Sequence, residues 1–547
     1  MSTIGRGDQV GTSQGGGSAQ GGDMQPASFS RKATGLVRAA SMKDVFIFNI
    51  NMQNVFIGVI FSLLLIPPLY PQANIYASTL IALAVSLPIS WVYAKLAAVY
   101  PRAGGDYVYV SRVLHPALGF TSNLSYCLWG TFYIGVSGVF LGVYGVAPLL
   151  RVIGAYSGNT GIADVGNWFA EPLGSFLMAV ALIGLFTAIF TFGGMKLYFK
   201  IQSVNFIIAV ACLIALIVWG LFVSRAGALS NLDAQVTNLN GKPLSGLASG
   251  ASDEGFSLKQ TIFASIWPWL AFNSAIYSTY MGGEIKRADR SQMFGIMGAL
   301  AWAGVATLAL TWAMLHAFGE TFWANLGNAD SGAFGLSTTP TLGEVSGYAL
   351  GNAVFGIVLT AGLALWTYVW IAPYTVLVTR SALAWSLDRL APEKLAWVHP
   401  RWHSPVWGLA MIFVLGCITS ALYTFAELSV LTGTIGLTAS MILVAVAGIG
   451  LPFRHRELWR SSPARGTVVG LPLISIVSAV AIPPLLLIEW ALIADVNSGA
   501  SLEANPGRLL VVAAVFLIGL PLYYVIREVQ KRRGVNIDLA YKEIPPE

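Results

Sequence analysis

Charge is what this sequence has least of. Asp, Glu, Lys and Arg make up 10% of its 547 residues, where soluble domains carry about 25%. A chain this poor in charge and 56% hydrophobic cannot cover a water-facing surface, so most of its side chains belong in lipid or in a core. Cysteine is nearly as scarce. Cys127, Cys212 and Cys417 lie in separate apolar runs without metal-ligand spacing, and three cannot form a disulfide framework. Each reads as a small buried apolar residue. His115, His316, His399, His403 and His455 fall near helix ends or in loops and form neither a metal cluster nor a triad. No G-x-x-x-x-G-K-[ST] run is present, which excludes a P-loop pump. No His, Asp or Glu sits deep in an apolar run, so the reactive set of an intramembrane enzyme is missing. The net charge of +6 is spread over loops, and no nucleic-acid partner is expected. No cleavable signal peptide is visible. Residues 1–40, rich in Gly, Ser and Gln, contain no apolar run and are expected to be a structureless tail.

Long apolar runs fill the chain instead. A hydrocarbon core about 30 Å thick takes about 20 helical residues to cross. Twelve segments qualify, near 44–66, 74–99, 120–150, 172–192, 199–223, 259–282, 293–318, 349–383, 406–425, 429–451, 468–493 and 509–526. The third and eighth exceed one crossing and are expected to tilt or project. Lys and Arg set the orientation. With the N-terminus inside, all of the 31 Lys and Arg except Arg151, Arg225, Lys242, Lys259 and Arg508 fall on one side. The loop between segments seven and eight carries Glu320, Asp330 and Glu344 and no Lys or Arg. This alternation predicts a multi-pass protein of the cell membrane with both termini cytoplasmic.

Two segments hold polar residues that hydrocarbon does not tolerate without partners. The first contains Asn49, Asn51, Gln53 and Asn54, with Met52 among them and Gly58 beyond. Residues 49 and 53 share a helical face. The sixth places Pro268 between Trp267 and Trp269, then reads Phe272-Asn273-Ser274 before Gly282-Gly283-Glu284 and a basic run. Such a pattern predicts helices that stop partway across. Freed N–H and C=O groups are tolerated only where they line a cavity, and paired interruptions in two halves mark a transport site. The plainer reading is a kinked sixth helix and amides bonded to neighbouring helices.

Between segments two and three the chain reads Tyr100-Pro101-Arg102-Ala103-Gly104-Gly105-Asp106-Tyr107-Val108-Tyr109. Pro101 ends a helix, the glycines allow a tight turn, and Asp106 can cap a helix beginning after them. The run resembles the signature P-R-[AS]-G-G-[DE]-Y-x-Y of the amino acid–polyamine–organocation (APC) superfamily. Gly283-Glu284-Ile285-Lys286 is similar to its E-x-K-x-P element, with Ala288 or Asp289 where proline is usual. The stretch from Thr379 to Pro392 resembles its S-R-x-x-x-A-x-x-x-D-x-x-x-P run. His399-Pro400-Arg401 and Ser404-Pro405 fit the continuation into segment nine, and Leu451-Pro452-Phe453-Arg454 closes segment ten in the same style. The resemblance implies an all-α LeuT-like fold of about 12 transmembrane helices. Residues 41–225 and 257–451 would form a 5+5 inverted repeat, with 468–526 as two added helices. Helices 1 and 6 would be broken, and 1–40 and 527–547 would be cytoplasmic tails.

The activity it implies is secondary transport of amino acids or related amines by alternating access, ion-coupled or exchanging, and not enzymatic. A nearby alternative carries polyamines, other organic cations or neutral polar metabolites. A channel is the alternative of another class, and the charged ring it would favour is not visible. Substrate is expected at the two breaks, on Asn49, Asn51, Met52, Gln53 and Asn54 and on Phe272, Asn273 and Ser274. Trp129, Trp267, Trp269, Trp366 and Trp370 could form aromatic walls. Relatives that bind α-amino acids carry a Gly-Ser-Gly-like stretch in the first helix, whereas this chain has NINMQNVFIG with one glycine. Amides suit an ammonium, an amide or a neutral polar group. Residues 203–212 of segment five lack the lysine many relatives carry there. That leaves room for a sodium site of first-helix carbonyls with Asn51 and Thr367. No cofactor is expected beyond Na+ or H+ as coupling ion. Asp44, Glu284 and Glu489 read as interfacial charges near helix ends.

Overall fold

The computed structural model describes residues 39–250, 255–330, 338–402, 404–426 and 428–541. The structureless tail expected over 1–40 lies outside the described residues except for Ala39 and Ala40, as does His403. The described chain is helical throughout apart from turns and one hairpin, Thr467–Val468 with Leu471–Pro472, which the all-α expectation lacked. Nine helices among the described residues are long and apolar enough to cross a membrane. The protein is an all-α polytopic membrane protein.

One of the nine, Pro172–Phe222, has 51 residues and would reach about 75 Å at 1.5 Å per residue. It cannot be one crossing. Gly194 supplies the bend, with φ +59° and ψ −165°, a conformation that a continuous helix cannot include and that a Cβ would hinder. The stretch therefore divides at Gly194 into two helical parts, where segments four and five were expected. Segment three runs from Pro116 to Ser157 as 42 residues, longer than the about 20 that one crossing takes.

Segments six and eight are missing from the nine because they are interrupted. Segment six breaks into Leu258–Ala264, Ile266–Phe272 and two short 3-10 turns, Tyr277–Tyr280 and Gly282–Glu284. Segment eight, expected as one long helix, is Ala353–Ala364 and Ile371–Leu387 with turns between. Segment one divides into Met42–Gln53 and Val55–Leu69. It is the most buried of the nine, whereas Val204, Ile207, Ile214 and Val218 turn an apolar face of segment five outward. Polar residues at the centre and apolar residues outside is the order a lipid solvent imposes.

Each end of the bundle is tied by buried polar contacts. At one end Ala40 N–H donates to Glu284 O at 2.9 Å and Arg380 Nε to Glu284 Oε1 at 2.7 Å. Glu284 is thus a buried ion-pair partner, not the interfacial charge expected of it. Here too Arg112 pairs with Asp388 at 2.8 Å, and the Tyr107 hydroxyl donates to Asp388 Oδ2 at 2.6 Å. Tyr541 reaches this cluster from the C-terminal segment, 3.2 Å from the Tyr107 hydroxyl. At the other end Arg151 Nη1 meets Glu344 Oε1 at 3.0 Å and Arg151 Nε donates to Asn167 Oδ1 at 2.7 Å. The Tyr70 hydroxyl donates to Asp495 there, and burial raises that carboxyl above its usual range.

Candidate functional site

The first break is made by one residue. Asn54 has φ +46° and ψ +63°, the left-handed region that asparagine enters more readily than other side-chain-bearing residues. Its N–H closes the first helix on Ile50 O at 3.2 Å, and its Oδ1 caps the second by accepting Ile57 N–H at 3.4 Å. An unbroken helix would bond Ile57 N–H to Gln53 O, so carbonyls are released here. Met52 O is taken instead by Trp370 Nε1 at 2.7 Å. The interruption of segment eight therefore sits against the interruption of segment one.

Segments one and six meet at their breaks. Asn49 Nδ2 donates to Ser278 Oγ at 2.9 Å, and Ser278 N–H returns a bond to Asn49 Oδ1 at 3.0 Å. Gln292 completes the cluster, accepting from Ser278 Oγ at 2.6 Å and donating to Ser278 O at 3.0 Å. A Cβ on Gly58 would lie 3.1 Å from Ala271 Cβ, so the two segments also touch beyond the breaks. The helix of Pro268 stops at Phe272. Ser274 Oγ donates to Asn273 Oδ1 at 2.9 Å, while Asn273 Nδ2 is buried without a partner.

Other expected site residues divide by neighbour. Gln53 donates to Asn49 O at 3.3 Å and keeps Oε1 unpartnered. Trp269 Nε1 donates to Thr438 Oγ1 at 3.0 Å. The Trp267 ring lies tilted against Phe61, 5.9 Å between centroids, and Trp129 packs against Gly433 and Gly436. The Nε1 of each is buried and unbonded. Trp366 faces elsewhere: its ring stacks 6.1 Å from Trp302 and its Nε1 donates to Ala209 O at 3.2 Å. Asn51 borders a small cavity with Tyr198, Gln202, Asn205 and Tyr368. Thr367 donates to Ala364 O at 2.8 Å and abuts Gly145. Asn51 and Thr367 thus face different helices.

Ser278 and Gln292 escaped the sequence reading, because a serine in an apolar turn carries no signal of its own. The third interruption had one signal, Pro373. Proline has no N–H, so Val369 O lacks the donor a continuous helix would give it.

The glycines of the 101–109 loop have a structural reason. Gly104 and Gly105 sit at φ +102° and +48°, and Gly104 N–H donates to Tyr280 O at 3.2 Å. The loop is docked on the sixth segment below its break. A recess bounded by Lys196, Glu284, Thr375, Thr379, Arg380 and Ser404 opens at the same end.

A family model described as amino acid permease matches residues 47–497. The branched-chain amino acid permease BcaP of Lactococcus lactis subsp. cremoris (strain MG1363) is similar, with 23% identity over 460 residues, 83% of this chain and 87% of that protein.

Proposed function

We propose, from the premise that this chain belongs to the amino acid permease family, that it is a secondary transporter of amino acids with apolar side chains. The observation that carries this reading is the meeting of two interrupted membrane segments at Asn49 and Ser278, with polar atoms of Gln53, Asn54 and Asn273 buried and unpartnered beside them. Buried polar atoms are nearly always satisfied, and a zwitterion can satisfy these. The N-terminus of Val55–Leu69 suits a carboxylate, and released carbonyls and amides suit an ammonium. Trp267, Trp269, Phe272 and Trp129 suit an apolar side chain. The relative's branched-chain specificity points the same way.

The finer parts of the reading rest on the sequence: about 12 crossings, a LeuT-like inverted repeat, termini in the cytoplasm of a cell membrane, and coupling to sodium or protons. A sodium site on Asn51 and Thr367 would require segment eight to turn, since the two now face different neighbours.

The test is a thermal-shift and uptake series on the purified, reconstituted chain. Leucine, isoleucine and valine should stabilise it at saturation by a few kcal/mol and be taken up saturably. Asn273→Leu should abolish that shift while leaving the unliganded transition within a few degrees of wild type. Stabilisation by polyamines alone would replace the substrate class. Conductance without saturation would replace transport by a channel.

A further inference from the structure

Asp106 is fully buried without a salt-bridge partner among the described residues. It opens the helix Asp106–Val113, at the end of the bundle assigned to the cytoplasm. Its Oδ1 accepts from Asn123 Nδ2 at 2.8 Å, while Oδ2 has no hydrogen-bond partner. The groups that face it are Tyr93 from segment two, Tyr109 from its own helix, Tyr126 and Cys127 from segment three, and Tyr280 from segment six. The nearby cation Arg112 is spent on Asp388. The hydroxyls of Tyr93, Tyr109, Tyr126, Tyr277 and Tyr280 are also buried without partners. Their rings interlock: Tyr126, Tyr277 and Tyr280 lie 5.9 Å apart pairwise, and Tyr277 continues to Tyr374 at 5.1 Å.

We propose that Asp106 is a proton-binding site, and that its ionisation loosens the 101–109 loop from the inner leg of segment six. The geometry joins the two events. Tyr280 is the residue on which the loop docks, through Gly104 N–H at 3.2 Å, and its ring lies 2.8 Å from where a Cβ on Gly105 would be. A protonated Asp106 can donate from Oδ2 to a tyrosine hydroxyl oxygen and remain neutral in the sealed pocket. An ionised one is a buried charge without a cation, which is costly unless water reaches it. Water reaches it when the loop and the leg part. Burial already pushes this carboxyl up to about 6, against the nearby Tyr280 hydroxyl and the bond from Asn123, which favour the ionised form. The proton-binding site stands on its own geometry. Only the consequence of the motion, opening toward the cytoplasm, rests on the transport reading.

The test is an infrared titration of the purified full chain in lipid nanodiscs, following the stretch of a protonated carboxyl shielded from water. The wild type should lose this band with a midpoint near 6. Asp106→Asn should remove it. Glu489 Oε2 is likewise buried and unpartnered, so every protein in the series also carries Glu489→Gln, and the band with its midpoint near 6 should persist in that background. Tyr280→Phe keeps the acid and removes a hydroxyl that favours its ionised form, so the band should persist with its midpoint at higher pH. A band surviving in Asp106→Asn, or a midpoint unmoved in Tyr280→Phe, overturns the proposal. Should Asp106→Asn fail to fold, Tyr280→Phe decides alone. The titration needs no substrate, so a chain that transports no amino acid would sink the transport reading and leave this result standing.

Discussion

Asn54 allows a direct test of how the first break is made. Its φ of +46° costs an ordinary L-residue about 1–2 kcal/mol. Its Oδ1 also accepts Ile57 N–H at 3.4 Å, and replacing such a cap by alanine costs about 1 kcal/mol. In Asn54→Ala both effects are unfavourable, so the protein should lose about 2–3 kcal/mol. In Asn54→Gly the cap is lost but the backbone is at ease, and glycine at a cap costs only about a few tenths. Its stability should stay within about 0.5 kcal/mol of wild type. Unfolding in mixed micelles by SDS, monitored by far-ultraviolet circular dichroism, measures both. Alanine is also the best helix former, so the variant can instead close the break into one helix from Met42 to Leu69. That outcome would appear as added helical signal with lost substrate binding. Equal losses in the two variants would refute the left-handed backbone as the source of the cost. Unchanged stability in both would refute any role for Asn54 in holding the break.

Three further outcomes concern buried groups. Glu344→Ala strands Arg151 in the interior and should cost about 3–5 kcal/mol, whereas the double change Arg151→Met with Glu344→Met should recover most of it; a denaturation cycle over the four proteins checks this. Gly105→Ala forces a Cβ to 2.8 Å from the Tyr280 ring at φ +48° and should lower the melting temperature, while Gly507→Ala, with nothing within 4 Å, should not. Asp106 binds its proton more tightly when folded, at about 6 against 3.8. Its contribution is therefore full below 3.8 and lost as pH rises through 6, a change of about 3 kcal/mol. Asp106→Asn should flatten stability across that window, and a slope unchanged by the substitution would show that another group titrates there.

What could be read from the sequence was what lipid forbids. Hydrocarbon penalises amides and prolines inside a crossing, so the interruptions of segments one and six stood out from residue types alone. The same solvent hides other features. When every face of a helix is apolar, periodicity no longer says which side points inward. Trp366 accordingly looked like Trp269, although it stacks on Trp302 while Trp269 bonds Thr438. The buried ion pairs were beyond reach for a different reason. Arg151 and Glu344 are 193 positions apart, and Arg380 and Glu284 are 96 apart. Neither local spacing nor composition could join them, and Glu284 therefore looked interfacial. Asp106 looked like a helix cap because its seal is built from residues distant in the chain.

The amides of segment one take on new meaning once their bonds are known. Asn49 spends both ends of its amide on Ser278, and Asn54 spends its oxygen and its backbone on the break. Asparagine here does what glycine does in relatives with a glycine-rich stretch: it lets the helix stop. Its side chain then supplies a cap that glycine lacks. The Asn49 amide and the Asn54 oxygen, so committed, are not available to select a substrate. Discrimination in the proposed pocket then falls to the aromatic walls and to the polar atoms left free, Asn51 Oδ1, Gln53 Oε1, Asn54 Nδ2 and Asn273 Nδ2. A pocket so lined should tell valine from leucine weakly, since one methylene is worth about 1–3 kcal/mol at most, and should reject a charged side chain strongly. Competition between leucine, valine and lysine for the same labelled substrate measures both. Lysine competing as well as leucine would return the free amides of segment one to the selective role.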